Sequence, residues 1–169
     1  INIAQRVMDC GDAGHILLSK RVADDLVQYR RWQPYLHDLG KNGPYHLTAL
    51  NVAEYEGHRL AATKSVDLPA HLMESVGLPQ DVVSAINLMY ERYDGEGFPN
   101  GQTGKEIPLG GRILAVVDTY ADLTQNPRNP YRKILRPSEA CDVLAKFRGS
   151  VFDPNIVDLI RSNLSVRGF

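Results

Sequence analysis

The chain has 169 residues, 43% of them hydrophobic and 23% charged, and 19 Lys+Arg against 20 Asp+Glu leave a formal charge of −1. That length suits one domain or two small ones, and the apolar fraction is enough for a core, which excludes wholesale disorder. The near-neutral balance excludes a global basic field, so no nucleic-acid partner is expected.

No apolar run approaches the roughly 18–20 residues of a membrane span, so no membrane segment is expected. Cys10 and Cys141 cannot build a disulfide framework, which suits a cytoplasmic setting. The chain opens Ile1-Asn2-Ile3 without an initiator Met, and it reads as a piece of a longer protein.

Ile3, Val7 and Met8 share a helical stripe that Gly11-Asp12-Ala13-Gly14 stops. His15 to Leu18 reads as a short buried strand. Ser19 then caps a helix with Val22, Leu26 and Tyr29 on one face, closed before Pro34. Leu36–Leu39 and Tyr45–Val52 read as two further strands around the turn cluster Gly40 to Pro44. The polar residues 54–70 read as a junction.

Pro79 opens a helix over Asp81–Arg92, with Val82, Ile86 and Met89 on one side. Asp94 to Gly111 carries six of the fourteen glycines plus two prolines, an ordered loop of a length that is usually functional. A helix follows with Ile113, Val116, Val117 and Tyr120 inward. Pro137 opens another that packs Ala140, Val143, Leu144 and Phe147. Asp153-Pro154 starts the last, with Ile156, Val157 and Ile160 inward. The expected fold class is therefore α+β: a small α/β N-terminal segment with two or three strands, then a mainly α-helical half. The expected units are 1–53, the junction 54–70, and a helical unit over 71–169.

Asn2 and Arg6 stand at i,i+4 on one helix face, an amide beside a guanidinium, which suits a phosphate. Together with Ala13-Gly14-His15-Ile16-Leu17-Leu18-Ser19 and the two later strands, this stretch resembles the C-terminal end of class III adenylate/guanylate cyclase catalytic domains. The resemblance gives Asn2 and Arg6 the family's transition-state roles and carries over a homodimer as an expectation. The family's metal-binding aspartates have no counterpart in residues 1–53, so this piece alone is expected to be inactive.

Glu91 to Pro99, Gly104 to Leu109, Arg112 to Asp118, Pro130 to Lys133 and Phe152-Asp153-Pro154 follow in an order that resembles the C-terminal half of HD-GYP domains. That family consists of metal-dependent phosphodiesterases that hydrolyse cyclic di-GMP. The likeness covers about residues 71–160. It makes Asp94, Gly95, Gly97, Phe98 and Pro99 the loop motif, Asp118 a metal ligand, and Arg132 and Lys133 phosphate contacts. The second acidic position has moved from Ala121 to Asp122.

Where the family has a His-His pair, this chain has Met89 and Tyr90, poor ligands for hard divalent ions. Phe98 replaces the loop tyrosine.

Leu36-His37-Asp38-Leu39-Gly40-Lys41 also resembles the histidine-aspartate signature of the same phosphodiesterases. On that reading His37 and Asp38 bind metal and Lys41 contacts phosphate. The cyclase reading ranks ahead because Pro34 and Gly40 leave little room for the required helix and the gap to Met89 is short. His46, His58 and His71 lack ligand spacing and read as surface or core histidines. Cys10 and Cys141 read as small buried hydrophobes.

The function expected from these likenesses is a degenerate, non-catalytic cyclic-nucleotide signalling module. It would need no cofactor and would take a cyclic dinucleotide or a signalling protein as partner. Two alternatives stand beside it: a working phosphodiesterase using Fe, Mn or Zn, and a fragment of a cyclase-containing signalling protein.

Overall fold

The computed structural model describes residues 47–64 and 79–166. Their elements are α1 (Ala49–Glu54), α2 (Glu56–Thr63), α3 (Gln80–Asn87), a single 3-10 turn (Gly104–Glu106), α4 (Leu109–Gln125), α5 (Pro137–Lys146) and α6 (Pro154–Val166). The described residues contain no strand, and an isolated bridge between Arg148 and Phe152 is the only β pairing among them.

The α+β expectation is overturned where it can be checked. Tyr45–Val52, read as a strand, runs into α1. The Thr48 hydroxyl accepts the Asn51 N–H at 3.2 Å, an N-cap that closes the first turn. The helix then turns Ala49 and Leu50 toward one apolar cluster and Val52 toward another. The strands expected at 15–18 and 36–39 lie outside the described residues. α2 lies inside the polar stretch read as a junction, separated from α1 by the extended backbone of Tyr55.

The core forms two clusters. Ala49 and Leu50 of α1, Ala115, Val116 and Leu123 of α4, and the inner faces of α5 and α6 surround Phe152, which is buried. A smaller cluster joins Leu47, Val52 and Ala62 to Met89 and Tyr90. α4 is thus the central element, touching α1, α3, α5 and α6.

α5 and α6 bury the residues expected of them, with Phe147 and Ile160 only partly covered. α4 does so in part: Val116 is buried and Tyr120 packs against the core, but Ile113 and Val117 are exposed, whereas Asp118, Thr119 and Asp122 are buried. The Thr119 hydroxyl donates to the Ala115 carbonyl and Asp122 takes two amides, so polar residues share the inner face and apolar periodicity placed the stripe only in part. α3 also stops at Asn87, earlier than expected. Met89 and Glu91 donate their N–H groups to carbonyls three residues back, at 3.4 and 3.2 Å, in a turn that aims Glu91 at the following loop.

Candidate functional site

The glycine loop is built around one carboxylate. Glu91 is buried, and its two oxygens accept the N–H groups of Asn100 at 2.6 Å and Gln102 at 3.1 Å. Gly97 lies directly on the backbone it folds over. A Cβ there would come within 2.7 Å of the Glu91 carbonyl carbon and closer still to the Arg92 nitrogen. Gly95, at φ 86°, makes the tight turn, and the Phe98–Pro99 peptide is cis. Arg92 holds both oxygens of Asp94, at 3.0 and 2.5 Å, and Asp94 also accepts the Glu96 N–H at 3.1 Å. Thr103 and Glu106 close the loop with a capping box. The motif residues Asp94, Gly95, Gly97, Phe98 and Pro99 are therefore brought together as one folded unit.

Burial pushes the Asp94 carboxyl up, but the Arg92 guanidinium and the Glu96 N–H outweigh it and leave the group below its ordinary value. Glu106 is lowered by the Thr103 N–H and hydroxyl.

Beneath this loop stand Met89 and Tyr90. Met89 is packed into the smaller apolar cluster, and the Tyr90 hydroxyl donates to the Leu47 carbonyl at 2.9 Å. The Tyr90 ring stacks on Phe98 with centroids 5.5 Å apart. The Arg59 guanidinium of α2 lies over the Phe98 ring, 5.6 Å from its centre, and its Nη1 donates to the Glu96 carbonyl at 3.3 Å.

Asp118 and Asp122 are buried one turn apart on α4. The Asp122 carboxylate takes the amide of Asn51 at 3.3 Å and that of Asn126 at 2.6 Å. His58 of α2 lies within its electrostatic reach. Burial lowers the His58 imidazole, and the Asp122 charge only partly offsets that. Cys141 is buried and free, as a small hydrophobe would be.

Arg132 and Lys133 are exposed on the turn after α4. Arg132 sits at φ 52°. Asn129 shapes this turn, donating to the carbonyls of Leu123 at 3.1 Å and Lys133 at 2.6 Å while accepting the Tyr131 N–H at 2.8 Å. Lys133 lies 3.7 Å from Glu139.

Asn2, Arg6, His37, Asp38 and Lys41 lie outside the described residues, as do Cys10, His46 and His71. The sequence reading passed over Asn51, Asn126, Arg59 and the organising role of Glu91. Only Asn126, one turn past Asp122, left a local spacing signal.

Divalent metal is the cofactor the phosphodiesterase likeness would need. Among the described residues, no three His, Cys, Asp or Glu side chains come together as a group able to hold one. The phenol of Tyr90 is committed to a carbonyl, and the Met89 thioether is a soft donor in an apolar cluster. The described donors do not fit a metal centre by themselves. No described helix is long and apolar enough to cross a membrane.

The profile of the HD-domain family matches residues 44–156, about two thirds of the chain. This chain belongs to the HD-domain family.

Among curated relatives, it is 30% identical over 135 residues to a probable cyclic di-GMP phosphodiesterase of Vibrio cholerae, a match covering 73% of this chain and 30% of that protein. It is 29% identical over 141 residues to the cyclic di-GMP phosphodiesterase PA4108 of Pseudomonas aeruginosa, covering 79% of this chain and 32% of the relative. The chain thus spans less than a third of the length of these relatives.

A solved structure, that of a cyclic GMP-AMP specific phosphodiesterase of V. cholerae, superposes with a TM-score of 0.52 at 16% identity. The superposition covers 89% of this chain and 34% of the other, and it shows a shared fold. It adds to the correction of the α+β expectation, for the fold shared is the helical HD one.

Proposed function

We propose that this chain is an HD-GYP-type cyclic-dinucleotide module that binds its ligand without hydrolysing it. The observation that carries the reading is the state of Met89 and Tyr90. Where the resembled family places two metal-binding imidazoles, one side chain is buried among apolar residues and the other spends its hydroxyl on the Leu47 carbonyl. The loop scaffold around them is nevertheless kept, from the Glu91 carboxylate to the capping box at Thr103. A site with its frame intact and its metal donors replaced is suited to holding a nucleotide rather than cutting it. The ligand class follows from the relatives, which are named as cyclic di-GMP and cyclic GMP-AMP phosphodiesterases.

A second reading, a metal-dependent phosphodiesterase, is favoured by one observation. An aligned stretch that takes in 79% of a 169-residue chain contains residues 37–41 wherever it starts. The positions of His37, Asp38 and Lys41 therefore fall inside the span matched to that relative. One of the three strands that supported the cyclase likeness of residues 1–53, Tyr45–Val52, moreover runs into helix α1. Both points support taking His37-Asp38 as the histidine-aspartate signature, which would add two donors to Asp118.

Titration calorimetry with cyclic di-GMP in the presence of EDTA separates the readings. Binding that persists without metal supports the module. Binding that appears only after Mn or Fe is restored, with metal measured at one or two ions per chain, supports the hydrolase.

A further inference from the structure

Among the described residues, most arginines have a carboxylate partner. Arg92 pairs with Asp94, Arg112 with Asp153, Arg136 with Glu139 and Arg148 with Asp158. Arg59 does not. It is exposed, and it meets the Phe98 ring and the Glu96 carbonyl, both parts of the glycine loop. Of its five N–H donors, one is used on that carbonyl. The Phe98 ring, itself stacked on Tyr90, and the bond to Glu96 hold the guanidinium against the loop.

A planar cation held in place, with donors to spare and no counter-charge, is suited to taking a phosphate through two parallel hydrogen bonds. It also stands beside the residues that replace the metal-binding pair. A cyclic dinucleotide carries two phosphodiester charges, and a pocket without metal must balance them with side chains.

We infer that Arg59 is a ligand-binding residue, contacting a phosphodiester of a cyclic dinucleotide from its platform on Phe98. The inference deepens the proposed function and rests on it. Arg59 acts on the phosphate, so it does not discriminate between bases.

The test is calorimetric titration of the full chain, in EDTA, with cyclic di-GMP and with cyclic GMP-AMP. The wild type is compared with Arg59→Gln, Arg59→Lys and, as a control cation away from this contact, Lys146→Gln. Arg59→Gln is expected to weaken both ligands at least tenfold and by similar factors. Arg59→Lys should recover part of the loss, because charge returns without the planar fork, and Lys146→Gln should change affinity less than twofold. Arg59 is exposed, so a thermal midpoint within a few degrees of the wild type confirms that the fold is kept.

If the wild type binds and Arg59→Gln binds within twofold of it, the role of Arg59 is overturned while the module reading stands. A loss confined to one of the two ligands means that Arg59 reads a base, which also overturns the inference. A wild type that binds neither ligand removes the module reading, and the assignment of Arg59 falls with it.

Discussion

Tyr90 and Glu91 are neighbours with opposite histories of legibility. Glu91 stood inside a motif whose glycines announce a tight loop, and its carboxylate holds that loop by the N–H groups of Asn100 and Gln102. Glu91→Gln keeps one acceptor and turns an amide NH2 toward the other donor. The expected cost is about 1–3 kcal/mol of stability, with faster amide exchange at Asn100 and Gln102 than elsewhere. Tyr90 was legible only as an absence of histidine; that its hydroxyl would reach the Leu47 carbonyl, 43 residues away, was not. Tyr90→Phe should cost about 1 kcal/mol in urea unfolding, with the loop otherwise intact. The amide of Asn51 on Asp122 was hidden for the same reason, since no local pattern encodes a pair 71 residues apart.

At the scale of elements, the helices that open on proline were readable from the sequence, as α5 and α6 show. α1 was not, because a short apolar run fits strand and helix alike, and the Thr48 cap decides between them. α4 was found, and Val116 and Tyr120 face inward as expected, but Ile113 and Val117 do not, because two aspartates and a threonine share the inner face.

Its N-terminus is anchored twice. Gly111 lets it approach the carbonyls of Ala85 and Leu88, and Arg112 reaches Asp153 at 2.5 Å, a carboxylate that is almost wholly buried. Arg112→Met would strand that charge. It should lower stability by about 3–5 kcal/mol in denaturant unfolding, more than any of the surface pairs would.

The loop preceding α4 is also sensitive to acid. Asp94 and Glu106 have folded values depressed below their ordinary ones, so their contribution is present above the unfolded values and is lost as pH falls through the folded ones. Loop order, followed by amide exchange or limited proteolysis, should be constant near neutrality and decline once pH drops below about 4. An unchanged loop at pH 3 would contradict this.

Across the whole molecule, the helical HD fold sets the glycine loop over Met89, packed in an apolar cluster, and Tyr90, whose hydroxyl is used on the Leu47 carbonyl. The loop is held by the Glu91 carboxylate and by backbone contacts, Gly97 against Glu91 and Phe98 N–H to the Tyr90 carbonyl at 3.4 Å. None of these depends on the side chains that would hold metal, so loop and metal donors can part company. The measurement that bears most directly on this is a hydrolysis assay. Purified protein supplied with excess Mn(II) is incubated with cyclic di-GMP and the nucleotides are separated by chromatography. The account predicts that the cyclic compound is recovered intact. Linear dinucleotide or mononucleotide, formed in proportion to the protein added, would contradict it.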